Sequence, residues 1–201
     1  MNCLSSVIPP LSSWIVFIYL FIVPDSTGIN KKKMHNTDLN LIYDFTENNP
    51  GQNWMTVNDN VMGGRSEGGF SFKKKKLIFS GNTNTNGGGF SSIRTKPFDY
   101  GLDDKQGLHI RFKGDGRTFK LGVRMEGKSV SYRSSFNTDG KTKGWQEIKI
   151  LFNEMDSSWR GITLSKDKYP LYRNKIRIIE FMIYDKQDGP FKLQVDWIKA
   201  Y

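Results

Sequence analysis

The chain has 201 residues and sets 30 Lys and Arg against 20 Asp and Glu, a net charge of +10. With 37% hydrophobic and 13% aromatic residues it has the means to bury a core, which excludes a disordered, fibrous or multi-pass membrane chain. A single cysteine, Cys3, and two histidines, His35 and His109, exclude a disulfide scaffold and a Cys-based zinc site and leave little for a His-rich centre.

Residues 1–37 stand apart from the rest. An unbroken apolar run, Trp14 to Val23, lies between Pro9-Pro10 and Pro24. It is shorter than the roughly 20 residues that a membrane-spanning helix needs. No Lys or Arg precedes it, and no small-residue cleavage site follows it. Two readings stand side by side. In one, residues 1–37 are a targeting or anchor segment that ties the chain to a membrane through Trp14–Val23. In the other, the start is over-extended and the chain begins at Met34, as a cytoplasmic protein. Lys31-Lys32-Lys33, on the C-terminal side of the run, also keeps the following domain cytoplasmic by the positive-inside rule.

From Leu39 onward apolar residues recur at every second position. Leu41, Tyr43 and Phe45 alternate, then Phe70 and Phe72, Leu77 and Phe79, and Leu108, Ile110 and Phe112. Phe119, Leu121, Val123 and Met125 follow, with Lys120, Gly122 and Arg124 on the opposite face. Val130, Tyr132, Ser134 and Phe136 come next, then Ile148, Ile150 and Phe152. Ile179, Phe181 and Ile183 precede a last run of Phe191, Leu193, Val195 and Trp197. Turns rich in Gly and Asp separate these runs, among them Gly114-Asp115-Gly116 and Asp188-Gly189-Pro190. Many short strands with almost no helical period predict an all-β sandwich or barrel, one domain over residues 38–201. Asn153 to Trp159 is the one candidate for a short helical turn.

Few motifs in this frame carry chemistry. Gly64-Arg65-Ser66-Glu67-Gly68 matches G-x-S-x-G, the nucleophile elbow, with Asp99, Asp103, Asp104 and His109 following in order. The motif needs a strand-to-helix turn. Here strand alternation follows it, and His109 lies inside a strand, so no hydrolase is predicted. Asn82-x-Asn84-x-Asn86-Gly87 lacks the carboxylates of a calcium loop. Asp185 and Asp188 first read as turn residues. Neither a metal nor a cofactor is expected. The basic charge is scattered apart from two lysine runs, and no nucleic-acid-binding signature accompanies it, so nucleic acid is not an expected partner. Among the tryptophans, Trp54 and Trp159 are flanked by polar and turn residues and read as surface candidates. Trp197 shares a face with Leu193 and Val195 and reads as core.

Trp54-Met55-Thr56-Val57-Asn58-Asp59-Asn60-Val61-Met62-Gly63-Gly64-Arg65-Ser66 resembles a motif of the complex I intermediate-associated protein 30 family, a Trp followed by Asp-x-Val-Met-Gly-Gly-x-Ser. The likeness continues through Asn86 to Arg94, Lys113 to Arg117, Trp145, Phe152, Arg160-Gly161, Tyr184 to Leu193 and Asp196-Trp197-Ile198. It implies a galactose-binding-like jelly-roll sandwich and a short, bacterial-type member. Eukaryotic members are mitochondrial assembly factors for respiratory complex I. A non-catalytic, chaperone-like protein binder is therefore the leading expectation, with a carbohydrate-binding module second and an enzyme third.

Gly63, Gly64, Gly88 and Gly89 are residues that permit tight loops or close approach of backbone. Ser66, Asp185 and Gly189 join them in the structural loop motif. Asp59 and Arg94 are expected to pair. The candidate binding residues are Trp54, Asn58, Asp59, Arg65 and Arg94, presented by loops gathered at one end of the sandwich.

Overall fold

The computed structural model describes residues 40–142 and 144–201. The Trp14–Val23 run and the start at Met34 lie outside these residues. Thirteen strands follow in order: β1 (Leu41–Tyr43), β2 (Trp54–Asn58), β3 (Glu67–Phe72), β4 (Leu77–Thr83), β5 (Ser91–Thr95), β6 (Gly107–Gly114) and β7 (Thr118–Met125). Then come β8 (Ser131–Asn137), β9 (Gln146–Leu151), β10 (Asp156–Trp159), β11 (Ile162–Thr163), β12 (Ile176–Ile183) and β13 (Gly189–Ala200).

The strands form two antiparallel sheets. The first runs β3-β4-β13-β6-β9, with β1 paired to the end of β13. The second runs β11-β10-β8-β7-β12-β5-β2. Successive side chains of a strand point to opposite faces, so each alternating run supplies one inner row. Phe119, Leu121 and Val123 of β7 are fully buried, as are Ile179, Phe181 and Ile183 of β12. Opposite them lie Phe79, Phe191 and Leu193 of the first sheet, with the Phe79 and Phe191 rings edge to face at 4.9 Å. Burying each such side chain contributes roughly 1.5–3 kcal/mol. This layer of apolar contacts holds the two sheets together.

Pairing fixes where the loops go. Asn58 lies opposite Ser91, Ser91 opposite Ile183, and Ile183 opposite Phe119. Thr83 lies opposite Gly189 and Leu193 opposite Gly114. The β2–β3, β4–β5, β6–β7 and β12–β13 loops therefore emerge together at one end of the sandwich.

Two tryptophans occupy the reverse of their expected places. Trp54 is 4% exposed, stacked against Phe181 and packed on Tyr43 and Phe45. It is the first residue of β2 and turns inward, whereas its polar flanks belong to the preceding turn. Trp197 lies outside the core because β13 changes register between Val195 and Trp197. One extra residue there hands the inner face to Ile198 and Ala200 and turns Trp197 outward, edge-on to His109 at 4.8 Å. The expected helical turn at Asn153–Trp159 is a 3-10 turn over Phe152–Glu154 followed directly by β10. Trp159 is exposed as expected, with Arg160 stacked over its ring.

Candidate functional site

The β2–β3 loop begins with a 3-10 turn, Asp59–Met62, closed by Gly63 in the left-handed region at φ +85°. That conformation disfavours side chains with Cβ, which explains one glycine of the Val-Met-Gly-Gly run. The second glycine has a different cause. A Cβ on Gly64 would come within 2.5 Å of Asp59 Oδ1 and closer still to Cγ. A Cβ on Gly88, from the β4–β5 loop, would come within 2.7 Å of Asp59 Cγ. Asp59 itself is completely buried. Two glycines from separate loops thus form walls around a buried carboxylate.

The carboxylate is satisfied by hydrogen bonds alone. The Ser66 amide donates to Oδ1 at 2.9 Å. Oδ2 accepts from the Ser66 hydroxyl at 2.6 Å, from the Gly89 amide at 2.6 Å and from the Phe90 amide at 3.2 Å. Burial pushes the carboxyl pKa up, but these donors outweigh it and hold it below the ordinary carboxylate range. A carboxylate with four donors and no open side is a structural anchor rather than a base. Gly89, at φ +101°, aims its amide into the cage, so its glycine character serves the same purpose. Ser66 is equally committed: its hydroxyl holds Asp59 and accepts from the Asn84 amide at 3.0 Å. His109 belongs to β6, where it pairs with Glu147 at 3.1 Å, so the G-x-S-x-G match does not assemble a nucleophile with a base.

The expected Asp59–Arg94 pair is replaced by two separate arrangements. Arg94 lies on the outer face of the second sheet, 3.0 Å from Glu180. Asp59 finds its charge compensation in peptide N–H groups, which sequence complementarity of charge does not reveal. Asn58 ties the same loops together, donating to Gly68 O at 3.1 Å and accepting from the Ser91 hydroxyl at 2.6 Å. Asn58 and Asp59 are therefore part of the frame. Arg65 is exposed on the loop.

The loop end continues across the β12–β13 turn. Asp185 accepts a bidentate pair from Arg117, both bonds at 2.6 Å. Burial pushes the Asp185 carboxyl up, while Arg117 holds it below the ordinary range. Arg117 also donates to Gln187 O at 2.8 Å and Pro190 O at 3.0 Å. Gly189, at φ +106°, opens β13 here. The Thr85 amide donates to Asp188 Oδ1 at 2.6 Å, joining this turn to the β4–β5 loop. Asp185 and Asp188 thus serve as turn and tie residues, and no group of metal-ligating side chains occurs among the described residues.

The frame leaves two apolar side chains outside. Val61 is 70% exposed and Met62 is 58% exposed, on the turn that Asp59 opens. The sequence points to Trp54, Asn58, Asp59, Arg65 and Arg94 as the recognition set and not to these two, because an apolar pair within a loop resembles any short buried run. The signal was present in their position between Asn60 and Gly63, where no strand alternation demands them.

The family described as complex I intermediate-associated protein 30 matches residues 43–195. Complex I intermediate-associated protein 30, mitochondrial, of Mus musculus is 27% identical over 183 residues, covering 80% of this chain and 56% of the mouse protein. The chain thus spans about half the length of that relative. Among solved structures, the family 11 carbohydrate-binding module of cellulosomal cellulase Lic26A-Cel5E of Clostridium thermocellum superposes with a TM-score of 0.58 at 15% identity, covering 79% of this chain and 92% of the module. The family 11 module from Clostridium thermocellum in complex with a β-1,3-1,4-mixed-linked tetrasaccharide gives 0.53 at 17%, covering 80% and 94%. These likenesses show that the chain shares the two-sheet β-sandwich fold of these modules.

Proposed function

The chain belongs to the complex I intermediate-associated protein 30 family, and from that premise we propose that it is a non-catalytic binding module that assists assembly of a protein complex. The carrying observation is the exposed Val61–Met62 pair mounted on the Asp59 cage. Exposed apolar side chains gain most on binding when the loop beneath them is already ordered, because little conformational entropy remains to be lost. Arg65 on the same loop adds a polar rim contact of the type enriched at protein interfaces. The mouse relative is named for association with complex I intermediates, and by that likeness the partner is a complex I subunit.

The test replaces the resident gene with Met62→Asp or Arg65→Ala and follows assembled complex I on native gels. Both variants keep the melting temperature of the parent, and Met62→Asp lowers the amount of assembled complex. Normal assembly with Met62→Asp overturns the loop as the contact surface.

A carbohydrate-binding role is the second reading, and a groove of about 590 Å³ at the opposite end of the sandwich favours it. Tyr169 and Pro170 line it beside Gln106 and Asn153, a mixture of flat apolar surface and amide groups that suits a sugar ring. Calorimetry with the mixed-linked tetrasaccharide, on parent and Tyr169→Ala, decides it. Saturable heat lost in Tyr169→Ala supports the carbohydrate reading, and none removes it.

A further inference from the structure

The outer face of the second sheet carries a cluster that the loop-end frame does not use. Glu180 of β12 is fully buried. Its neighbours across the sheet are Gly122 of β7 and then Arg133 of β8 on one side, and Arg94 of β5 on the other. Arg133 Nε donates to Glu180 Oε1 at 2.5 Å, Arg124 Nε donates to Oε2 at 2.9 Å, and Arg94 Nε lies 3.0 Å from Oε2. Gly122 makes room for this, since a Cβ there would come within 2.9 Å of both Glu180 Cγ and Oε1. Burial pushes the Glu180 carboxyl up, but the three guanidiniums hold it below its ordinary range.

One carboxylate does not balance three guanidiniums. Lys120, in the next row of β7 beside Arg133's strand, adds a further cation, its ammonium 5.7 Å from the Tyr184 ring. Asp156, opposite Arg133 on β10, offsets part of the charge at Lys120, but it is shared with Lys166 at 3.4 Å and a positive excess remains. Burial and then the neighbouring Arg133 hold the Lys120 ammonium below the ordinary lysine value. Burial likewise lowers Arg94, with Arg124 and Arg133 adding to the effect. Uncompensated like charges at half-buried sites repel at a reduced effective dielectric, a standing cost that a bound anion removes.

The geometry also leaves donors to spare. The carboxylate is 0% exposed, while the side chains of Arg94, Arg124 and Arg133 keep 20%, 14% and 14% of their surface. Arg124 Nη1 is used by Ser129 O and Arg133 Nη1 by the Ser158 hydroxyl. Among the described residues, both Nη atoms of Arg94, the Nη2 atoms of Arg124 and Arg133, and Lys120 Nζ have no acceptor. The guanidiniums cover the carboxylate and keep part of their own surface in contact with solvent, while Arg94 Nε is buried without a hydrogen-bond partner.

We propose that this face is a binding site for an oxyanion, a carboxylate, sulfate or phosphate group, held by Arg94, Arg133 and Lys120 over the buried Glu180. Guanidinium forks match the paired oxygens of such groups, and each charge-assisted bond is stronger than a neutral one. Glu180 fixes the Arg124 and Arg133 forks by hydrogen bonds and holds Arg94 as an ion pair at 3.0 Å, so the site is ordered before the anion arrives. Tyr184 and the exposed Met55, register partner of Arg94, flank the cluster and suit an anion carried on a larger molecule.

The test uses the full chain at constant ionic strength. Arginine Nε–Hε resonances are followed by NMR during titration with sodium sulfate, inorganic phosphate, glucuronate and, as the uncharged control, glucose. Saturable shifts confined to Arg94, Arg124 and Arg133 are expected with the anions and not with glucose. Tighter binding of glucuronate than of sulfate assigns the anion to a larger carrier, and the reverse order assigns a free ion; either order supports the site. Lys120→Gln, which removes no ion pair, weakens sulfate binding about tenfold, the equivalent of one charge-assisted hydrogen bond. Arg94→Lys keeps the charge and loses the fork, and weakens binding similarly. Lys149→Gln, on the outer face of the other sheet, binds as the parent does. Linear, non-saturating shifts with every salt, or unchanged sulfate binding in both folded variants Lys120→Gln and Arg94→Lys, overturn the proposal.

Discussion

Gly64→Ala places one methyl group against the buried Asp59 side chain. The new Cβ would lie 2.5 Å from Asp59 Oδ1, where ordinary non-bonded contact needs about 3.5 Å, so the carboxylate must retreat by about 1 Å. A retreat of that size takes the Ser66 amide, now at 2.9 Å, beyond hydrogen-bond range and disturbs the bonds from Gly89 and the Ser66 hydroxyl. Hydrogen bonds to a charged group contribute about 1.5–3 kcal/mol each, so losing the equivalent of two of these three costs roughly 3–6 kcal/mol. That is a large share of the roughly 5–15 kcal/mol that stabilises a domain. Gly63→Ala is the control on the adjacent residue. Its φ of +85° is unfavourable, but a Cβ there meets nothing within 4 Å, so the cost is about 1–2 kcal/mol from the left-handed backbone alone. Urea unfolding followed by tryptophan fluorescence gives both values, since Trp54 passes from the core to water. If Gly64→Ala costs no more than Gly63→Ala, the cage does not hold the carboxylate as argued.

Other consequences are open to the same measurements. Asp59, Asp185 and Glu180 all sit below the ordinary carboxyl range in the folded chain. A depressed folded pKa adds stability above the unfolded value and loses it as pH falls through the folded one, so urea midpoints should drop steeply below about pH 4; a rise on acidification would contradict this. Ser66→Ala should lower stability by about 1.5–3 kcal/mol through loss of the hydroxyl bond to the charged Asp59, and esterase assays should show no difference from the parent; loss of a measured hydrolysis would restore an enzymatic role. Arg117→Lys removes the fork on Asp185 and should cost about 2 kcal/mol in thermal unfolding, whereas an unchanged melting temperature would show that the tie is idle.

The fold was legible where a strand has one wet face and one dry face, because burial then writes itself as alternation. β7 and β13 announced themselves in this way. β2 did not: beyond Trp54 its side chains are exposed or half-buried, as befits an edge strand, and the pattern fades. The bulge after Val195 was equally silent, since one inserted residue changes no composition and yet reverses Trp197. The candidate site was legible as a set of residue types rather than as contacts. The glycines read as loop residues and Asp59 as a binding candidate paired with Arg94, whereas Asp59 is caged by Gly64 and Gly88 and its partners are not cations. Peptide N–H groups carry no letter in a sequence, and those of Gly89 and Phe90 lie 30 and 31 residues along the chain. Glu180 gave no signal either, standing in β12 between two residues whose side chains fill the core.

A protein-binding surface formed by Val61 and Met62 on a rigid frame can be tested at position 62 itself. A photo-reactive amino acid placed at position 62 of the full chain, irradiated in the cells that make it, tests this most directly. A cross-link to a complex I subunit is expected, and it disappears when Gly64→Ala disrupts the frame beneath. A cross-link of equal yield in the Gly64→Ala background, or the same adducts from a probe at exposed Lys149, would contradict it.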